Sequence, residues 1–319
     1  MNFAAKLIAW QSRHGRHGLP WQGTRDPYRV WLSEIMLQQT QVGTVIPYYE
    51  RFLARFPNVA ALARASQDDV LRLWSGLGYY ARGRNLHRAA QTIMAHGFPT
   101  RAKEIEALPG VGRSTAAAIA VFAFGERAAI LDGNVKRVLA RCFAIEDESR
   151  LWRRAEALLP REDVETYTQA LMDLGATVCT RAAPACAGCP VASLCIARCH
   201  GWQARLPAKR ARGARPQKRV AWMVQRRAGK VWVERRPSPG IWGGLWCFPV
   251  GKPRPGDRPL EPIEHGFTHF RLRIRPFLRD AEKRALGKEG RWITLAALER
   301  AAVPAPVRTL VRRLRGAAR

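Results

Sequence analysis

Acidic residues are scarce in this sequence. Only 25 Asp and Glu stand against 54 Lys and Arg, a formal net charge of +29. That deficit argues against a cationic partner. It points to a polyanion, DNA or RNA before an anionic membrane surface. Long apolar runs are also missing. The longest, Ala116 to Phe124, has nine residues, far below the roughly 18 needed to span a bilayer. Residues 1–20 carry Lys6, Arg13 and Arg16 but no continuous apolar core or small-residue cleavage site, so no secretory signal is read there. A soluble, cytoplasmic protein with no membrane partner is expected, and nothing points beyond a monomer. Cysteines number seven. In a reducing compartment a cluster of them implies metal rather than disulfides.

The chain has 319 residues, 47% of them apolar, enough for about two domains with real cores. Residues 1–204 read as helical. Apolar spacing predicts helices over 3–10, 31–42, 48–55, 68–75, 84–96, 102–108, 113–124, 133–143, 152–159 and 165–175. Gly125 is placed to close one of them as its left-handed cap. Almost nothing in this half alternates with period two, so an all-α domain is expected. Residues 205–219 hold seven basic residues among Pro, Ala and Gly, with no acid, and read as a basic interdomain linker. Residues 220–319 then carry strand patterns. Val220–Gln225 and Val231–Glu234 flank a turn at Arg227-Ala228-Gly229-Lys230 and predict a hairpin. Phe270, Leu272 and Ile274 alternate with Arg271, Arg273 and Arg275, as in a half-buried strand. A closing helix begins at Pro306, with Val307, Leu310, Val311 and Leu314 inward. The second domain is therefore expected to be α+β, and no repeat links the two halves.

Two stretches carry chemistry. Leu108-Pro109-Gly110-Val111-Gly112 is a glycine-rich turn between helices, and Arg113 opens a helix whose first N–H groups are unpaired. Gly110 and Gly112 permit close approach of a partner and positive φ, so the turn is a candidate phosphate clamp. Asp132, a single carboxylate, follows at a helix N-cap position. The second stretch is Cys179-x6-Cys186-x2-Cys189-x5-Cys195. Four thiolates this close suit zinc or an iron–sulfur cube, with Cys199 a competing fourth ligand. Cys142 and Cys247 read as small apolar residues.

Together these features resemble the helix-hairpin-helix DNA glycosylase superfamily with an iron–sulfur cluster. Trp31-Leu32-Ser33-Glu34-Ile35-Met36-Leu37-Gln38-Gln39-Thr40-Gln41-Val42 is similar to the catalytic-glutamate helix of the adenine DNA glycosylases. Gly76-Leu77-Gly78-Tyr79-Tyr80-Ala81-Arg82 resembles their wedging loop. Gly240-Ile241-Trp242-Gly243-Gly244-Leu245-Trp246-Cys247-Phe248-Pro249 resembles the start of their Nudix-like C-terminal domain.

The resemblance implies excision of adenine mispaired with 8-oxoguanine or guanine in double-stranded DNA. It assigns Glu34 as general acid at adenine N7, Asp132 as the ionised stabiliser of the oxocarbenium-like sugar, and Asn134 as a hydrogen-bonding residue of that site. Trp31, Ile35 and Leu37 beside Glu34 suggest an apolar setting that favours its protonated form. Gln39 and Tyr79 are implied to wedge into the base stack, with Gln38 and Thr40 beside them. Gly110, Gly112, Arg113, Lys136 and Arg137 are implied to hold phosphates, with Arg181 and Arg198 as further candidates. Phe267-Thr268-His269 would read 8-oxoguanine, threonine standing where the family has serine. The cysteines at 179, 186, 189 and 195 would hold a [4Fe–4S] cluster, with zinc the less favoured occupant. Position 114 is serine where bifunctional lyases of the superfamily have lysine, so no Schiff base with the sugar is expected there. Gly251 to Pro262 holds only Asp257 and Glu261 as acids and lacks a glutamate-rich metal box, so nucleotide hydrolysis is not expected. Two rival readings stay open, a bifunctional glycosylase/lyase and a non-catalytic DNA-binding protein.

Overall fold

A computed structural model describes residues 2–208, 214–280 and 290–316. Lys209, Arg210 and Arg212 of the expected linker lie outside the described residues. At its end, Gln217–Arg219 belong to the first strand rather than to a linker. The chain forms two compact units, Met1–Ala63 with Arg88–Ala211, and Arg64–His87 with Arg212–Arg319. The expected boundary near residue 204 follows the course of the chain but not its packing. The helix Gln67–Trp74 belongs with the C-terminal unit because it buries Leu71 in that unit's core. Ser75 Oγ also donates to the Val303 carbonyl at 2.7 Å, and Trp246 Nε1 donates to Asp68 Oδ2 at 3.2 Å.

The first unit is helical, as expected. Helices Arg113–Phe124 and Gly133–Phe143 have the predicted bounds, and Gly125 closes the first at φ 69°. The glutamate helix differs. It spans Pro27–Leu37, capped by the Asp26 carboxylate accepting from Tyr28 N–H, and a separate helix runs Val42–Arg55. The predicted helix to Val42 is broken where Gln38 leaves helical backbone at ψ 111° and Gln39 follows at φ 57°. No glycine or proline marks that break, so composition gives no sign of it. The last long helix, Val164–Asp173, passes into a wider π-turn over Leu174–Val178. Such turns are frequent at functional positions. The core joins Phe3 and Leu7 of the first helix to Val135, Val138 and Leu139, and to Tyr167, Leu171 and Leu174.

Among the described residues the C-terminal sheet has seven strands: β1 Gln217–Arg227, β2 Lys230–Arg235, β3 Trp246–Cys247, β4 Arg258–Pro259, β5 Ile263–Gly266, β6 Arg271–Asp280 and β7 Gly290–Thr294. Its main order is β3-β2-β1-β6-β4, with β5 beside β6 and β7 beside β2. β1 and β2 form the predicted hairpin, Ala228 and Gly229 both taking positive φ in the turn. β1 and β6 run parallel from Gln217↔Arg271 to Arg226↔Asp280. The closing helix, Ala305–Gly316, buries Val307, Leu310 and Val311 against the sheet.

Candidate functional site

Glu34 lies on the third turn of its helix, and nearly every neighbour on that helix is buried. Its carboxyl opens into a cleft of about 680 Å³. Ser33, Leu37, Phe122 and Met172 form part of the wall, and His17, Trp21 and Gln22 another part. Among the described residues the carboxyl accepts no hydrogen bond. Burial, with a further contribution from the charge of Asp132, pushes its pKa up to about 8. Of the three apolar neighbours read from the sequence, Trp31 and Ile35 are buried on the helix and only Leu37 lines the cleft, which also carries polar and charged side chains. The N-terminal wall was not anticipated. It is fixed by Asp173, fully buried, whose carboxylate accepts from the Arg16 backbone N–H at 2.8 Å, Arg16 Nε at 2.7 Å and Gln169 Nε2 at 2.8 Å. An Arg and an Asp 157 positions apart offer no sequence signal of pairing.

Asp132 is the N-cap of helix Gly133–Phe143. Its Oδ1 accepts from Asn134 N–H at 3.0 Å and Val135 N–H at 2.8 Å. Burial raises its pKa, while the two N–H groups and nearby Arg137 oppose that rise. Asn134 Oδ1 accepts from Arg137 Nη2 at 2.9 Å, and Gly175 packs so tightly that a Cβ there would lie 2.6 Å from Asn134 Cβ. Ser114 is engaged by the backbone just before this carboxylate. Its Oγ accepts the Leu131 N–H at 2.9 Å and so holds the residue before Asp132. Ser114→Ala should cost about 1 kcal/mol, seen as a lower urea midpoint with an unchanged slope.

The hairpin is partly as expected. Gly110 takes φ 81°, which only glycine adopts readily. Gly112 instead is an extended N-cap at φ −104°, and a Cβ there would meet nothing within 4 Å. Neither its backbone angle nor crowding within the described residues requires glycine there. Three assigned phosphate contacts take other partners. Arg137 is only 9% exposed, and it donates to the carbonyls of Cys179 at 2.7 Å and Gly175 at 2.5 Å. Arg113 lies 3.8 Å over the Trp152 ring and pairs with Glu156 at 2.5 Å. Lys136 pairs with Glu148 at 2.5 Å. For Arg137, burial excludes a phosphate. Arg113 and Lys136 would have to exchange a carboxylate for one. Gln38 is likewise engaged within the protein, its Nε2 donating to Thr115 Oγ1 at 3.2 Å and to Gly110 O at 3.4 Å, which ties the glutamate helix to the hairpin. Thr40 Oγ1 turns back to the Gln38 carbonyl at 3.4 Å. Gln39 is exposed in its left-handed conformation, a posture that holds a side chain away from the fold at some cost in strain.

Cys179, Cys186, Cys189 and Cys195 line one small cavity of about 20 Å³ together with Arg141 and Arg198. Cys199 is exposed and does not line it, while Cys142 and Cys247 are buried. No group of three or more His, Cys, Asp or Glu among the described residues is placed to hold a metal ion. The donor set is nonetheless all soft thiol, converging on one space. Arg141, 3% exposed, was missed by the sequence reading. It donates to Cys179 Sγ at 3.4 Å and to the carbonyls of Leu206, Thr180 and Arg181 at 2.9, 2.7 and 3.1 Å. It looks from sequence like any helix arginine.

In the second unit Tyr79, at φ 47° and 48% exposed, places its OH 3.1 Å from Thr268 Oγ1. The expected wedge and the expected reading loop thus meet. His269 beside them is exposed. Phe267 stacks on Phe270 with centroids 4.4 Å apart, so the loop stands on an aromatic base.

A glycine hairpin opening a helix, a buried glutamate that feels the charge of Asp132 and a second unit built on a mixed sheet are the features to set beside known proteins. Residues 32–161 match the model of the HhH-GPD superfamily of base excision DNA repair proteins, and residues 220–313 match a NUDIX domain. The chain is 33% identical over 341 residues to an adenine DNA glycosylase of Buchnera aphidicola from Schizaphis graminum, covering 97% of each. It is 32% identical over 405 residues to the adenine DNA glycosylase of Homo sapiens, covering 98% of this chain and 74% of that one. The chain belongs to the adenine DNA glycosylase family of base-excision DNA repair enzymes. A thermostable thymine-DNA glycosylase superposes with TM-score 0.58 at 28% identity, over 62% of this chain and 95% of that one. An endonuclease III in complex with DNA shares the fold, with TM-score 0.55 at 20% identity over 63% and 95%.

Proposed function

We propose that this enzyme is a monofunctional, monomeric glycosylase that hydrolyses the N-glycosidic bond of adenine mispaired with 8-oxoguanine or guanine in duplex DNA. The observation that carries the reading is Glu34, a carboxyl held protonated near neutral pH at the wall of a cleft large enough for a flipped base. The adenine leaves the stack at a cost of a few kcal/mol, least where pairing is already faulty. Glu34 gives its proton to N7, so the base departs neutral. The sugar gains oxocarbenium character, which Asp132 stabilises. The two carboxyls divide these tasks because their surroundings differ. Glu34 has no donor to its anion, whereas Asp132 receives two backbone N–H groups and the field of Arg137. Water then completes hydrolysis. Gln39 and Tyr79 fill the space that the base leaves, and Thr268 with His269 reads the opposite base. The helix start at Arg113 holds phosphate through its backbone N–H groups. The four cysteines hold a [4Fe–4S] cluster, which fixes residues 179–195 where little apolar surface is buried.

One gel assay tests the activity. A duplex with a single A opposite 8-oxoguanine should be cut only after hot alkali, because serine at position 114 cannot form a Schiff base. Cutting without alkali would replace this reading by the lyase, and binding without product by a non-catalytic protein. Purified protein should contain about four irons per chain, and stoichiometric zinc instead would overturn the cluster assignment.

A further inference from the structure

Strand β6 leaves the Thr268–His269 loop and carries Arg271, Arg273 and Arg275 on alternate, exposed positions, while Leu272 and Ile274 between them are buried. The alternation puts all three guanidinium groups on one face of the sheet. The parallel partner β1 places Gln217 beside Arg271, Arg219 beside Arg273 and Ala221 beside Arg275. Arg219 is exposed too. On the other side β5 sets Glu264 beside Arg273 and Gly266 beside Arg271. From residue 271 to 275 and on the adjoining strands this face carries, among the described residues, four arginines and one carboxylate; farther along β6, Arg279 pairs with Asp257. Glu264 pairs with Arg273 at 3.4 Å, both side chains well exposed. Arg219, Arg271 and Arg275 make no ion pair among the described residues. A half-buried sheet needs no charge of one sign on its wet side. Like charges along a strand repel one another, and cross-strand neighbours of the same sign are unfavourable. The excess therefore calls for an external anion.

We infer that this face is a second DNA-binding surface, which grips the phosphate backbone of the duplex flanking the base read by the Thr268–His269 loop. The inference rests on the proposed reading that this loop lies at the DNA. Its occupant follows from three observations. The face is continuous with the loop, since Arg271 is two residues beyond His269. It is strongly basic, as a polyphosphate requires. Its length also suits a duplex. From Arg271 to Arg275 the strand rises about 13 Å, the axial length of roughly four base pairs. The arginines carry no base information in this role. They set register and orientation while the loop does the reading.

The test compares the full-length protein with the triple variant R271A/R273A/R275A and the single variant Glu264→Gln. Binding is measured by fluorescence anisotropy across 50–300 mM salt (roughly two Debye-length regimes). The probe is a 30-base-pair duplex (about three helical turns) with 8-oxoguanine opposite a 2′-fluoro-adenosine that resists cleavage. The triple variant should lose about 2–3 from the slope of log Kd against log salt, and bind at least about ten-fold more weakly near 150 mM salt. Glu264→Gln frees Arg273 and should do the opposite, steepening the slope by up to about 1. A folding defect in the triple variant cannot produce that gain. Unchanged affinity and slope in both variants would overturn the inference, as would loss in the triple variant with no gain in Glu264→Gln. The loop reading fails separately, if His269→Ala leaves the preference for 8-oxoguanine over guanine unaltered.

Discussion

Glu34→Gln should abolish adenine excision and, at neutral pH, make the protein more stable. The loss follows from chemistry. Glutamine matches the shape of the carboxyl but has no proton to give, and removal of a positioned general acid costs about 10²–10⁴-fold in rate. Binding of the mispaired duplex should persist, because the cleft wall is unchanged. The gain follows from linkage. Glu34 has its pKa raised to about 8 in the folded protein, against an ordinary value near 4.3 in the unfolded chain. Between these values the folded state keeps a proton that the unfolded state has released. Stability therefore falls as pH rises through that window. Glutamine removes the penalty, so the gain should grow from near zero at pH 4 to roughly 2–4 kcal/mol at pH 7.5. Denaturant melts of both proteins at pH 5 and pH 7.5 measure it. An equal midpoint at both pH values would mean that Glu34 is not held protonated by its surroundings. The same raised pKa predicts the single-turnover excision rate of the unaltered enzyme to fall about ten-fold per pH unit above pH 8. Function here is maintained against stability, as at many active sites.

Arg137→Ala should destabilise the N-terminal unit by about 3–5 kcal/mol. The guanidinium joins three parts of the chain. It donates to Asn134 Oδ1 two residues from Asp132, to the Gly175 carbonyl in the π-turn and to the Cys179 carbonyl at the first of the four clustered cysteines. Its loss leaves buried acceptors without donors, each costing about 1–3 kcal/mol. It also removes a positive charge that opposes the burial-driven rise of the Asp132 pKa. The expected result has three parts: a lower urea midpoint, less iron per chain, and an excision rate reduced beyond what loss of folded protein explains. Arg137→Lys should restore little, since one ammonium cannot span the same acceptors. If iron content and rate match the unaltered enzyme while only the midpoint falls, the residue is a simple staple and does not support the Asp132 site.

The sequence by itself determined the helical first half, the strand-rich second half, the hairpin-to-aspartate stretch and the set of cysteines. Each of these is local. Helix period, an N-cap carboxylate, glycine at positive φ and thiol spacing act over a few residues, so they are written in order along the chain. The break after Leu37 escaped, because Gln39 is held left-handed without the glycine that would mark it. The tertiary structure alone decided which charges are free. Arg137 and Arg141 are buried donors to carbonyls, Arg113 and Lys136 are paired, while Arg271 and Arg275 stand in the open without an ion pair; in sequence all six are merely basic. It also decided that residues 64–87 pack with the C-terminal unit, bringing Tyr79 to Thr268, and that Arg16 meets Asp173 behind the cleft. These outcomes depend on what surrounds a side chain from distant parts of the chain. Desolvation and pairing, which shift the pKa values of Glu34 and Asp132, exist only once the chain has folded.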